Sequence, residues 1–244
     1  MISRHALDAM SWARGTFRRS GTRCVVLPPN ADLHSQARRF AQLLNDLLNG
    51  TVTNGVRMRA VVVSTGLVSV GYALTKSMVV NRQPFPLAVD SRSPTCFMGL
   101  SYTMTLDPEG QYLTAATSVC ALYADAEGND ELFHYNYERN KRDGYPEAHL
   151  QVHAESTSLG AVMAKRGLNH HMHKLHFPLG GRRYRPCLED VIEFLIVERL
   201  ADARHGWQTV LAREREAFRR LQLRAAIRRD PETALSALKN LGLV

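Results

Sequence analysis

Two stretches gather the residue types that move protons and hold phosphate. The first is Tyr145-Pro146-Glu147-Ala148-His149-Leu150-Gln151-Val152-His153. The second begins at Lys174, passes His176, and runs through Gly180-Gly181-Arg182-Arg183-Tyr184-Arg185-Pro186. Side chains alternate along a strand, so His149, Gln151 and His153 share one face while Leu150 and Val152 point to the other. The preceding segment behaves alike. His134, Asn136 and Glu138 share a face, and Phe133, Tyr135 and Tyr137 share the opposite one. Pairing the two as a hairpin lays His, Asn, Gln and Glu across one patch, and His176 joins it from a third strand. A metal-free ribonuclease site is commonly built this way. One imidazole or carboxylate removes the 2′-hydroxyl proton, another group protonates the leaving oxygen, and arginine stabilises the phosphorane charge. The expectation is that His149 and His153 act as acid and base, with His134 and His176 as further catalytic candidates. Arg182, Arg183, Tyr184 and Arg185 are the expected nucleic-acid contacts, because flexible glycines, arginines and a tyrosine suit phosphate contact with base stacking.

Simpler readings compete. An antiparallel sheet with one solvated face shows the same polar alternation, and Gly180 to Arg185 also reads as a solvated hairpin loop. A metal reading would pair His149 with His153 at helical spacing and add the His170-His171-Met172-His173 run. There is no H-E-x-x-H pattern, and Pro146 with Leu150 and Val152 favours a strand, so neither a metal nor another cofactor is expected. Cys24, Cys96, Cys120 and Cys187 are far apart and form no C-x-x-C pair, which excludes a zinc ribbon and a disulfide framework from the expectation. Cys187 opens a helix, where a thiolate is favoured, but it reads as a packing residue. No G-x-S-x-G or P-loop pattern occurs.

The elements that must position these residues are legible in outline. Asp32 caps a helix over 33–48, closed by Asn49-Gly50 in a left-handed cap. Strands are expected over 56–64, 97–106, 112–125, 132–138 and 148–154, with a short one at 174–177; residues 67–80 are ambiguous between helix and strand. Asp107-Pro108-Glu109-Gly110 and residues 126–130 are turns. Helices follow from Cys187 to about Ala203, from Trp207 to Arg229, and after Asp230-Pro231. The fold class is therefore α+β: an antiparallel β-meander packed against helices, with a helical C-terminal extension. The expected organisation is a basic arm over residues 1–30, an α+β domain over 31–203 and a helical extension over 204–244.

The 244 residues carry a net charge of +8, and the pI is about 9.6 with a mean hydropathy of -0.24. Such a balance attracts polyanions, nucleic acid first among them. No apolar run reaches the roughly 18 residues that span a bilayer. The basic first 23 residues lack the apolar middle of a secretory signal. A cytoplasmic protein with no membrane partner is expected.

Residues about 100–200 resemble the TumE-like toxin domains of bacterial toxin–antitoxin pairs. The likeness lies in the aromatic strand Phe133-His134-Tyr135-Asn136-Tyr137, the histidine-bearing strand that follows, and then a proline with Leu188-Glu189-Asp190-Val191-Ile192-Glu193-Phe194-Leu195. The resemblance implies a small α+β toxin that acts on nucleic acid and is held by an antitoxin partner. The long N-terminal half, the Gly180 to Arg185 loop and the extended C-terminal helices depart from that group. The functional expectation is a nucleic-acid-binding protein, RNA favoured, acting as a metal-independent endoribonuclease-type toxin or phage-defence effector. The alternative is a non-enzymatic regulatory or assembly subunit that oligomerises or docks a protein partner through its C-terminal helices; a homo-oligomer is expected.

Overall fold

The computed structural model describes residues 32–79, 82–90, 92–142, 144–168, 171–180 and 186–244. Helix α1 (Leu33–Thr51) starts where Asp32 accepts the backbone N–H of Ser35 at 3.0 Å, which satisfies a donor that the helix leaves open. Its buried stripe is Ala37, Ala41, Leu44, Leu47 and Leu48. The helix does not stop at Asn49-Gly50. A Cβ on Gly50 would lie 3.2 Å from Val210 Cγ1, so the glycine answers to close packing by a later helix rather than to a left-handed cap.

Among the described residues, eight strands follow in one antiparallel sheet: β1 (Met58–Ser64), β2 (Leu67–Tyr72), β3 (Phe85–Pro86), β4 (Phe97–Leu106), β5 (Leu113–Tyr123), β6 (Glu131–Glu138), β7 (Ala148–Val152) and β8 (Phe177–Pro178). The order β1-β2-β4-β5-β6-β7-β8 is a meander, and β3 pairs with the start of β4. The ambiguous stretch after Gly66 is thus a strand, since β-branched Val68 and Val70 point into the core from a β1–β2 hairpin.

One face of the sheet is covered by α1, α3 (Leu188–Val197) and α4 (Trp207–Arg229). Val70, Met98, Leu100 and Leu122 from the strands meet Leu48, Ile192, Leu195 and Leu211 from the helices. The first turns of α4 therefore belong to the core. Arg215 fastens α4 to α3 through Asp190 Oδ1 at 3.0 Å and the Glu189 carbonyl at 3.3 Å. The last helix, α5 (Pro231–Asn240), follows α4 after Asp230. The architecture is α+β, with helices at the C-terminus.

Other elements depart from the sequence reading as well, and α3 ends at Val197 rather than near Ala203. Thr157–Ala164 forms α2, capped by Ser156, where no helix is expected. Met172–Lys174 forms a single 3-10 turn, and the short strand begins later, at Phe177. No helix among the described residues is long and apolar enough to cross a membrane.

At the β1 edge, two asparagines of α1 take the place of a neighbouring strand. Asn45 accepts the Met58 N–H at 2.6 Å and donates to the Met58 carbonyl at 3.3 Å. Asn49, one turn on, accepts the Val56 N–H at 2.9 Å and donates to its carbonyl at 2.8 Å.

Candidate functional site

The register places the histidines on the face away from α1, α3 and α4. Ala121 on β5 lies opposite His134 on β6, which lies opposite Gln151 on β7; Val119, Asn136 and His149 form the next row. Facing residues in a ladder share a side. His134, Asn136, His149 and Gln151 therefore share the side of Val119, Ala121 and Tyr123, which form a small apolar cluster of their own with Phe97.

Alternation counted from Phe133 would send Glu131 into the core. A β-bulge prevents this. Leu122 faces Phe133 and Tyr123 faces Glu131, so Leu132 is the extra residue. Leu132 and Phe133 both pack against the core, and Glu131 emerges on the histidine side. Bulges re-aim side chains in this way and are over-represented beside active sites. The Glu131 carboxylate accepts from His134 Nδ1 and lies 3.2 Å from His153 Nε2, both contacts through Oε1. Burial acts to raise the Glu131 pKa. The His134 hydrogen bond and the charges of His134, His153 and Arg82 outweigh it, so the carboxyl is held below its ordinary value. Tyr123 sits beside it, its hydroxyl pKa raised by burial and then by the Glu131 charge.

Six imidazoles form a continuous row. From the open end, His171 stacks on His173 at 5.6 Å between ring centroids, His173 lies 5.6 Å from His153, and His153 lies 6.3 Å from His134. His134 is then 6.2 Å from His149, and His149 is 4.6 Å from His176. Exposure falls from His153 to His149. The His153 side chain is 40% exposed and that of His134 12%, while His149 is 2% exposed. Burial lowers the His149 pKa, against a weak hydrogen bond to the Pro146 carbonyl at 3.4 Å. His176 packs against the Tyr145 ring at 4.2 Å, and its buried Nδ1 has no hydrogen-bond partner among the described residues.

The four expected catalytic histidines thus share one region with unequal access. His149 and His153 are separated by about 13 Å of extended chain, with His134 lying between them. His153 and His134 meet at Glu131, and His149 is enclosed behind them. Gln151 donates its amide to the His173 carbonyl at 2.9 Å, which holds the 3-10 turn against β7. Arg182, Arg183, Tyr184 and Arg185 lie outside the described residues.

Sequence reasoning missed Glu131, Tyr123 and Arg82. The only trace of Glu131 is the apolar doublet Leu132-Phe133, which a regular strand cannot bury on one face. Arg82 arrives through tertiary structure. A Cβ on Gly99 would lie 2.9 Å from the Arg82 carbonyl oxygen and 3.0 Å from Tyr123 Cε2. Only glycine lets the 82–84 crossing lie this close over β4. A groove lined by Met78, Arg82, Pro84, Tyr123, Glu127 and Gly128 runs along that crossing. The cysteines among the described residues are held as thiols. Burial raises the Cys96 thiol to about 11 and the Cys120 thiol to about 12. Cys187 is pushed up as well, by burial and then by the Glu189 charge.

The class defined by this fold is an α+β protein with an open antiparallel sheet, one face covered by helices and the other carrying a histidine–carboxylate cluster. Comparison with protein-family models, curated proteins and solved structures found no match.

Proposed function

We propose that this protein binds nucleic acid across the histidine face of its sheet and cleaves the phosphodiester backbone there, with RNA as the favoured substrate. The observation that carries this reading is the Glu131–His134–His153 cluster, on the sheet face opposite the main helical layer and beside the groove at Arg82. Phosphodiester cleavage needs a proton removed from the attacking oxygen, a proton delivered to the leaving oxygen, and neutralisation of the phosphorane charge. Glu131 orients two imidazoles toward the first two tasks, as the orienting carboxylate does in a catalytic triad. Arg82 is the cation close to them. The net charge of +8 supports the polyanion partner. The resemblance to TumE-like toxins covers the strands that carry the cluster, and it favours a toxin or phage-defence setting with an antitoxin partner.

The test is cleavage of end-labelled RNA and single-stranded DNA by purified protein, beside growth of cells on induction. Glu131→Gln and His134→Ala are expected to lower cleavage at least about 100-fold and to relieve growth arrest. Variants that cleave like the parent would sink the assignment.

The alternative, a non-enzymatic assembly subunit, is favoured by apolar side chains left open on the last two helices. Leu223 and Ile227 on α4 and Leu235 and Leu238 on α5 are all at least 40% exposed. On this reading the full chain is a homo-oligomer, and Leu223→Glu with Leu238→Glu lowers its mass in light scattering. A parent that is already monomeric rules out self-association through these helices.

A further inference from the structure

The cluster has a second property, independent of the substrate. Its three ligand atoms, one each from Glu131, His134 and His153, lie within 4.8 Å of one another. Ions such as zinc bind imidazole nitrogen and carboxylate oxygen at about 2.0–2.2 Å, which puts ligand atoms of a tetrahedral site about 3.3–3.6 Å apart. His153 Nε2 is 3.2 Å from Glu131 Oε1, so that edge of the polyhedron is already near its required length. His134 sits closer to the same oxygen, and a small rotation of the Glu131 carboxylate opens that edge.

The site is built rather than incidental. Residues three apart on a regular strand point to opposite faces, and the bulge at Leu132 is what brings Glu131 and His134 together. His153, just past β7, is held by its backbone N–H, which donates to the Leu132 carbonyl at 2.9 Å. The bulged residue thus fixes the third ligand to the first two. Outer groups are in place as well. Tyr123 stands beside Glu131, and His173, positioned by Gln151, lies next to His153; such neighbours orient metal ligands. Two sides are closed and the His153 side is open, the arrangement of a site that keeps a coordination position for water or substrate.

We propose that Glu131, His134 and His153 form a mononuclear site for a divalent first-row transition ion, with zinc as the preferred occupant. Two imidazoles and one carboxylate suit zinc or ferrous iron and disfavour magnesium, which demands oxygen ligands. With the ion bound, His134 and His153 would be its ligands rather than acid and base, and the ion would supply an electrophile and an acidified water in their place. The inference rests on the nuclease reading only for what the ion does there, not for its binding.

The test uses the full chain freed of metal by chelation, titrated with Zn2+ by calorimetry and with Co2+ by visible absorption. One equivalent is expected, with Co2+ bands of four- or five-coordinate nitrogen and oxygen ligation. Glu131→Gln and His153→Ala should each weaken binding more than about 100-fold, whereas His171→Ala should leave it unchanged. Absence of stoichiometric binding, or binding that survives both ligand substitutions, overturns the site. If a variant fails to fold by circular dichroism, the parent decides: a six-coordinate Co2+ spectrum, or a shift of the His171 rather than the His153 resonances on Zn2+ addition, overturns it equally. Cleavage that persists in chelator without bound metal removes the ion's part in cleavage and leaves the nuclease, while the titrations alone decide the site. Tight zinc binding without cleavage does the reverse.

Discussion

His149 connects the cluster to the stability of the sheet. Its burial holds the folded-state pKa below the ordinary 6.5, with His176, His134 and Lys141 adding positive charge nearby. An unfolded chain takes up this proton as pH falls through about 6.5, while the folded chain resists until lower pH. Stability is therefore full above that value and declines below it. Thermal unfolding should show a falling midpoint between pH 7 and 5.5, and His149→Gln should flatten that slope. Each kcal/mol corresponds to about 2–4 °C in a chain of this size, well within the precision of calorimetry. Glu131, whose folded pKa is lowered, contributes in the same direction at more acidic pH, as the medium approaches its ordinary value of 4.5. The two windows are separable, and a parent with a flat profile from pH 7 to 5.5 would refute the His149 account.

At the level of elements, the strands that carry the site were largely legible and the irregularities that complete it were not. β4 matches its expected span because alternation ends at a strong Asp-Pro-Glu-Gly turn, and the Trp207–Arg229 helix matches because glycine and Asp-Pro bracket it. His134 and His149 fall on one face from period-two spacing alone. Glu131 was hidden because one extra residue resets the alternation, a consequence of pairing with β5 rather than of its own sequence. Arg82 was hidden because a chain crossing, not a strand, carries it to the cluster. That crossing makes a prediction. Gly99→Ala sets a Cβ against the backbone on one side and a buried ring on the other, so neither neighbour yields cheaply. A loss of about 1–3 kcal/mol is expected in denaturant unfolding, together with weaker RNA binding as Arg82 is displaced. Under the sheet, Ile192→Ala should cost about 2–5 kcal/mol and leave affinity for RNA intact in the folded fraction. Equal effects of the two substitutions on binding would break the link between Gly99 and the site.

Two surfaces matter over the whole molecule. The sheet unit carries the cluster and its groove, and the far end of α4 with α5 carries the exposed leucines. Arg228 lies 3.8 Å above the Tyr112 ring, so the distal turns of α4 still lean on the loop before β5. Nucleic-acid affinity should fall steeply with ionic strength if phosphates are the partner, with log K linear in log salt; an affinity insensitive to salt would argue for a protein partner instead. The asparagine pair at β1 matters at this scale too. An unprotected outer strand is a template on which a second molecule can polymerise. By answering the backbone of Met58 with Asn45 and that of Val56 with Asn49, helix α1 covers the entry to that strand against such growth. Leucine at both asparagine positions would reopen it. The doubly substituted protein should then form thioflavin-positive fibrils at concentrations where the parent stays dispersed, turning a folding helix into the guard against amyloid.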